Sequence, residues 1–184
     1  MITKSRIEKI LELIKKEYDY IDKKPINIVD NHEDTWCVQL TDYSYILKVN
    51  KNFDDYHFAD FFFQYLAKEF GFNLIWTKFD YQNTINALAL LHEIGHIQQT
   101  IKEVSIRDWL KEANIVYNRY DMLKMFRSKE EQMVSYRKIR YEYMADEFAV
   151  DMFNKYAIKI LAILNGTTQK EIKSRLAEIE GEVA

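Results

Sequence analysis

Cysteine, proline and glycine are all scarce in this sequence of 184 residues. Cys37 is the single cysteine, so the chain can form no intrachain disulfide and cannot build a metal site from cysteine ligands. One proline and four glycines interrupt the backbone rarely, whereas thirteen tyrosines and eleven phenylalanines supply bulky side chains. Because 48% of the residues are hydrophobic, we expect a real core, built from long helices and a modest sheet.

The sequence also lacks an excess of positive charge and any long apolar run. A formal net charge of −3 argues against general nucleic-acid binding, which needs a basic surface or a strong basic patch. Residues 124–140 are locally basic, but Glu130 and Glu131 interrupt them, so we interpret this run, Arg137 included, as a solvated helix face. No apolar run approaches the about 20 residues of a membrane span, and the N-terminal residues lack a signal-peptide core. We therefore expect a cytoplasmic protein without a membrane partner.

The N-terminal part of the chain, about residues 1–80, mixes helical and β-prone patterns. Apolar residues at helical spacing predict a first helix over residues 3–18. Three short β-prone runs lie within residues 26–50 and are separated by turn residues. They predict a small antiparallel or mixed sheet, with a hairpin at residues 41–43.

A second helix and a last strand are predicted to follow this sheet. Asp54 and Asp55 are suited to the start of the helix, and Gly71 is suited to its C-terminal cap. The next run, residues 72–79, is rich in aromatic and apolar side chains, and we interpret it as a strand.

The C-terminal part, about residues 83–184, is predicted to be almost wholly helical. In three places a hydroxyl side chain precedes an acid by three residues, the arrangement of a capping box at a helix start. The three pairs are Ser105 and Asp108, Ser128 and Glu131, and Thr168 and Glu171. They predict helices that begin near residues 106, 129 and 169, with Gly166 ending the helix before the last. No repeat or linker divides the chain, so we predict one α+β domain over residues 1–184.

His92, Glu93 and His96 form the pattern His-Glu-x-x-His within this helical part. Residues four apart on a helix share a face and lie about 6 Å apart along its axis, so both imidazoles can reach one ion. Glu93 falls beside them, where its carboxylate can accept a proton from a zinc-bound water and pass it to a leaving amine. The alternative is a buried helix that carries two incidental core histidines.

The surroundings of the motif favour metal binding over that alternative. A stripe of apolar residues at helical spacing indicates that the motif helix packs against a core; its members are Ile85, Leu88, Leu91 and Ile94. Histidines and a glutamate on such a helix are costly to desolvate without a metal or a polar partner. Gly95 costs the helix about 1 kcal/mol relative to alanine. It indicates close approach of a neighbouring backbone or a substrate, or else neutral drift.

A three-ligand zinc site needs one more protein ligand than the motif supplies. The other two histidines, His32 and His57, both precede the motif, so a carboxylate is the remaining choice. Glu142 and Asp146 are four residues apart on a later helix, which we predict to start near Ser128. Glu142 can then ligate zinc, while Asp146 accepts the N–H of a ligand histidine and sets its tautomer.

Two small residues strengthen this assignment, and two acids compete with it. Ala145 and Ala149 share the face of Glu142 and would let its helix press closely against the motif helix. Glu147 and Asp151 lie at nearby azimuths and are rival ligands. The spacing is also typical of an ordinary amphipathic helix with acids on its wet side.

The two helices together resemble a known family of enzymes. His92-Glu-Ile-Gly-His96 followed by Glu142-x-x-Ala-Asp146 is similar to the gluzincin zinc peptidases, and most closely to the ImmA/IrrE family of small soluble metallopeptidases. The resemblance implies a zincin-like fold, with zinc held by His92, His96 and Glu142, Glu93 as general base and Asp146 as a supporting residue. It also implies an edge strand that takes substrate as an added strand. The substrate class it implies is a peptide or protein, such as a regulator or repressor.

We therefore predict a zinc metallopeptidase that hydrolyses peptide bonds through a metal-activated water with Glu93 as base. The alternative is a zinc-binding regulatory or interaction protein of the same fold without peptidase turnover. A tyrosine is also expected to assist the oxyanion, and five in the helical part are candidates: Tyr117, Tyr120, Tyr136, Tyr141 and Tyr143.

Overall fold

The computed structural model describes residues 2–15, 24–31, 37–40, 43–50, 56–102, 106–124 and 128–183. The elements in chain order are α1 (Lys4–Lys15), β1 (Ile26–Asn31), β2 (Cys37–Leu40), β3 (Tyr45–Asn50), α2 (Tyr56–Phe70), α3 (Ile75–Lys102), α4 (Ile106–Lys124), α5 (Lys129–Arg137), α6 (Arg140–Asn165) and α7 (Gln169–Val183). The fold is α+β and mostly helical, as predicted, with a small sheet near the N-terminus. Among the described helices, none combines the length and the apolarity needed to cross a membrane.

The sheet is mixed, with the order β1-β3-β2. β2 pairs with β3 antiparallel, which suits the predicted hairpin, although residues 41 and 42 lie outside the described part of the chain. β1 pairs with β3 in parallel, so an entirely antiparallel sheet would have been wrong. β3 is the central strand, with β1 on one edge and β2 on the other. Its alternate residues Tyr45, Leu47 and Val49 are buried. Alternation identifies a half-buried strand but carries no information about strand direction.

The first two helices are confirmed within the described residues. α1 begins one residue later than predicted, and residues 16–18 lie outside the described part. α2 ends at Phe70 and is followed by Gly71, whose φ of 70° is left-handed. The Gly71 and Phe72 amides donate to the carbonyls of Ala67 and Leu66, so the glycine forms the expected cap. Asp54 and Asp55 lie outside the described residues.

The predicted strand at residues 72–79 is wrong, because most of this run belongs to α3. Asn73 begins the helix: its side-chain oxygen accepts from the Ile75 amide at 3.0 Å, and its carbonyl accepts from the Trp76 amide. Phe72 and Phe79 are buried and Trp76 is half-buried between them. Their spacing of four and three residues fits a helical stripe. Phe72, Leu74 and Trp76 also fit β alternation, so the run is ambiguous in the sequence and tertiary packing selects the helix.

The later helices begin where the capping signals place them, at Ile106, Lys129 and Gln169. At Ser128 both halves of the capping box are present, and Thr168 exchanges the same two bonds with Glu171. Gly166 ends α6 with a φ of 69°. Ser105 lies outside the described residues.

The long helix predicted from near Ser128 through Glu142 is interrupted. α5 ends at Arg137, Lys138 forms its C-terminal cap, and Ile139 is extended with ψ of 129° before α6 begins. No glycine or proline announces this break. As a result Glu142 lies in the first turn of a new helix, and the residues just before it fold back towards that helix.

One hydrophobic cluster joins α1, β3, α2, α3, α6 and α7. Its fully buried members include Ile10, Leu47, Leu66, Leu91, Phe153 and Ile172. The predicted core stripe of the motif helix is confirmed, because Ile85, Leu88, Leu91 and Ile94 are all buried.

Gly95 marks a close approach between α3 and α6. A Cβ atom built on Gly95 would lie 2.9 Å from the Ala145 Cα and 3.2 Å from its Cβ. The prediction of a close backbone approach at this glycine is therefore confirmed, and the small side chain of Ala145 is what permits it.

We expect Gly95→Ala to destabilise the protein although alanine is the better helix former. The added methyl has no room against Ala145 and forces the two helices apart, at a cost of about 1–3 kcal/mol. The measurement is the free energy of unfolding in urea. Gly181→Ala is the matched control, since Gly181 lies in α7 with nothing within 4 Å of its Cβ position. That control should gain up to about 1 kcal/mol, and equal gains for both variants would contradict the close contact.

Candidate metal centre

The motif helix is anchored at its start by Asp80. Asp80 is extended, with φ of −161° and ψ of 86°, and divides α3 into a short first turn and the long segment that carries the motif. Its carboxylate accepts from the Asn83 amide at 3.1 Å, which caps the long segment. It also accepts from the Asn165 side chain at 2.7 Å, which ties the start of this segment to the end of α6.

The far end of the motif segment is tied to the start of α6. The side-chain amide of Gln99 donates to the Tyr141 carbonyl at 2.7 Å. Together with the Gly95 contact, these bonds hold α3 and α6 in one register along the motif. The side chains of His92 and His96 therefore face the first turns of α6.

Three side chains converge on one point between α3 and α6. The Nε2 atoms of His92 and His96 are 3.1 Å apart, and Glu142 places Oε2 3.2 Å from His92 Nε2 and Oε1 3.6 Å from His96 Nε2. In a tetrahedral zinc site with bonds of about 2.0–2.2 Å, neighbouring ligand atoms lie about 3.3–3.6 Å apart. His92, His96 and Glu142 thus form a group that could hold a metal ion, and their spacing fits one.

Asp146 determines which nitrogen of His92 is offered to that point. Its Oδ1 lies 2.8 Å from His92 Nδ1, and the carboxylate is fully buried. An ionised carboxylate requires a proton on Nδ1, which leaves the Nε2 lone pair directed at His96 and Glu142. Two imidazole nitrogens 3.1 Å apart then need a proton or a cation between them.

The electrostatics of the two histidines differ. Burial lowers the pKa of His92, but the carboxylates of Asp146 and Glu142 outweigh it and raise the pKa to about 10. Burial, together with the neighbouring charge of His92, lowers the pKa of His96 to about 4. Near neutral pH, with no metal bound, the pair therefore carries one proton more than two neutral imidazoles would, and a metal ion would displace this additional proton.

Two tyrosines hold the carboxylate of Glu142. The hydroxyls of Tyr117 from α4 and Tyr136 from α5 both donate to Oε1, the latter at 2.8 Å. Oε2 receives neither hydroxyl and faces His92. Burial raises the pKa of Glu142, but the imidazoles and Arg137 outweigh it and keep the pKa far below its ordinary value. Glu142 is therefore an ionised carboxylate whose Oε2 could bind a cation.

Glu93 is buried beside this group but is not part of it. Burial raises the pKa of its carboxyl to about 7, assisted by the charge of Glu142 and opposed by His92 and by a hydrogen bond from the backbone of Val38. Val38 belongs to β2, an edge strand of the sheet. Glu93 is thus close to His92 and Glu142 and is hydrogen-bonded to that strand.

Arg137 is a site residue that the sequence interpretation missed. The prediction of a solvated basic face is wrong for it, because its side chain is only 13% exposed and points at Asp146. Nη1 lies 3.1 Å from Asp146 Oδ1 and 3.7 Å from Glu142 Oε2. No pattern in the sequence signals this position, because it depends on the break between α5 and α6.

Of the other predicted candidates that the structure describes, two tyrosines reach the group and the rest do not contact it. The rival ligands Glu147 and Asp151 are exposed on α6. Among the five tyrosines, Tyr117 and Tyr136 reach Glu142, whereas Tyr120 donates to the Gln132 carbonyl and Tyr143 packs on Phe70. Tyr141 is buried with Ile139 and Ala113. His32 and the side chain of His57 lie outside the described residues.

Comparison of the chain with protein-family models, with curated proteins and with solved structures finds no match. The site must therefore be interpreted from its own geometry and chemistry.

We expect Glu142→Ala to abolish tight metal binding and Glu147→Ala to leave it unchanged. Loss of a residue that merely supports a ligand costs about 10- to 100-fold in metal affinity, so loss of the ligand itself should exceed that range. Glu147 is a matched control because it is exposed on the same helix. The measurement is a zinc titration against a chromophoric chelator, and equal affinities for the two variants would contradict the assignment.

Proposed function

We propose that this chain is a zinc-dependent peptidase of the gluzincin type, similar to the ImmA/IrrE metallopeptidases. His92, His96 and Glu142 bind the zinc, and Glu93 is the general base. The observation that carries the proposal is the convergence of two imidazole nitrogens and a carboxylate oxygen, all within 4.8 Å of one another, with a buried carboxylate beside them.

The donor set favours zinc at a catalytic site over a closed structural site. Two histidines and one glutamate are a ligand set of catalytic zinc, which retains a fourth position for water or substrate, whereas structural zinc is closed by four protein ligands. When bound, zinc would supply a Lewis acid that lowers the pKa of a water molecule and polarises a carbonyl oxygen. The two hydroxyls on Oε1 of Glu142 favour ligation through Oε2 alone, which keeps that fourth position open.

Glu93 supplies the proton transfers of hydrolysis. It takes a proton from the water that attacks the peptide carbonyl and delivers it to the nitrogen of the departing amine, which breaks the C–N bond. Burial and the neighbouring acid keep its pKa at about 7, so the carboxyl can accept and release a proton near neutral pH.

The edge strand β2 is the proposed place for the substrate backbone. One edge of β2 pairs with β3, and its Val38 backbone N–H bonds to Glu93, so its other edge faces the metal-ligand group. An extended peptide that pairs with this edge would bring a carbonyl to the site, which is the strand-addition mode of recognition. We infer a zincin-like arrangement and a peptide or protein substrate, such as a regulatory protein.

The first test separates metal binding from catalysis. Wild type is expected to contain about one zinc per chain, and His92→Ala is expected to lose it. The measurement is inductively coupled plasma mass spectrometry after dialysis.

The second test asks whether Glu93 turns metal binding into hydrolysis. Glu93→Gln keeps the shape of the side chain, so it should retain zinc and lose at least about 100-fold in cleavage rate. Denatured casein and a random peptide pool, with fragments identified by mass spectrometry, serve as substrates. Zinc without Glu93-dependent cleavage would instead support the zinc-binding regulatory protein, and a wild type that binds no zinc would contradict both functions.

A further inference from the structure

Arg137 is brought to the metal centre by the break between two helices. It is the last residue of α5, and α6 begins only three residues later, at Arg140. The extended Ile139 turns the chain between them, so that the Arg137 side chain lies along the first turns of α6. Sequence neighbours on one continuous helix could not place this guanidinium against Asp146.

The guanidinium shares an acceptor with a ligand histidine. Oδ1 of Asp146 lies 3.1 Å from Arg137 Nη1 and 2.8 Å from His92 Nδ1. A single carboxylate oxygen therefore joins the cation to the imidazole. Bonds of this kind, between charged partners and in a buried setting, are the strong and directional ones.

Two residues of α2 also contact Arg137. The guanidinium carbon lies 4.6 Å from the centre of the Phe62 ring, which permits a cation–π contact. The Tyr65 hydroxyl donates to the Arg137 carbonyl at 3.3 Å, which fixes the backbone of the same residue. Side chain and backbone are thus both restrained, as expected of a group that positions others.

Arg137 also brings a positive charge to a group of buried acids. Glu93, Glu142 and Asp146 are all buried, and Nη1 of Arg137 lies within 3.7 Å of a carboxylate oxygen of the last two. Buried charges are stable only when they are paired and hydrogen-bonded, so the guanidinium offsets part of the negative charge that these acids bring to the site.

We propose that Arg137 is a positioning residue of the metal centre, which acts through Asp146 to fix the tautomer and direction of His92. This inference rests on the proposed metal site but not on peptidase activity. In this role the guanidinium increases metal affinity, although the guanidinium carries the same sign of charge as the metal.

The positive charge of Arg137 allows its positioning role to be distinguished from simple repulsion of the metal. If Arg137 were only a nearby positive charge, its removal would relieve repulsion and tighten metal binding. If it positions His92 through Asp146, its removal weakens binding, by about 10- to 100-fold as for other residues that orient metal ligands. The two possibilities predict opposite changes of the same measured quantity.

The experiment is a double-mutant cycle on zinc affinity, read by competition with a chromophoric chelator. The variants are Arg137→Gln, Asp146→Asn and the double variant, with Arg140→Gln as control because it removes the same charge from an exposed side chain. Arg137→Gln should weaken zinc binding and Arg140→Gln should not. In the Asp146→Asn background, Arg137→Gln should add less than about twofold, because coupled residues are not additive.

Tighter or unchanged binding in Arg137→Gln overturns the proposal, and so does an additive loss in the double variant. Cobalt substitution adds a second readout: the visible absorption of the Co²⁺-loaded protein should change in Arg137→Gln and stay as in wild type in Arg140→Gln. Circular dichroism establishes that each variant is folded. If Arg137→Gln does not fold, Arg137→Lys, which keeps the charge and removes the planar donor group, replaces it in the cycle, and the same outcomes decide.

The cycle also separates this inference from the proposed function. Coupled loss of zinc affinity without any cleavage of casein or the peptide pool upholds the role of Arg137 and contradicts the peptidase. Cleavage with additive losses upholds the peptidase and contradicts the role of Arg137. A wild type that binds neither zinc nor cobalt contradicts both.

Discussion

The close packing of α3 against α6 is the contact on which the rest of the site depends. At Gly95 the backbones approach so closely that a methyl group would collide with Ala145. Only at this separation can side chains as short as histidine and glutamate, carried by two different helices, reach one point. The same packing buries the ligand group, where its charges interact strongly and must therefore balance. The small size of Gly95 and Ala145 thus permits the burial that strengthens the interactions among the nearby charged side chains.

The buried charges are organised in layers around that contact. Glu142 and the two histidines form the centre, Asp146 and two tyrosine hydroxyls hold them, and Arg137 holds Asp146. Four helices supply these side chains: α3 carries the histidines, α4 carries Tyr117, α5 carries Tyr136 and Arg137, and α6 carries both acids. The bonds to Tyr117 and Tyr136 therefore connect α4 and α5 to the site as well as restraining Glu142, so the candidate metal centre and the packing of the helical part depend on each other.

The sequence predicted structure correctly where the deciding interaction joins residues that are close together in the chain. The caps at Ser128 and Thr168 and the glycine at the end of α6 predicted helix ends, because a cap is satisfied within a few residues. The residues 72–79 were mistaken for a strand because their apolar spacing fits both periods, and only burial against α6 distinguishes them. The direction of β1 was equally open, since alternation identifies a strand but not its partner.

The amino-acid sequence alone was enough to identify the side chains of the candidate site. They are two histidines four residues apart with a glutamate between them, and two later acids, also four residues apart, on a helix face that carries alanines. Those features follow from helix periodicity, which is a property of the local backbone. The tertiary structure alone decided which acid faces the histidines, which tyrosines reach Glu142, and that Arg137 is a site residue. These depend on the turn at Ile139 and on the separation of α3 and α6, and no local pattern encodes the angle at which one helix leaves another.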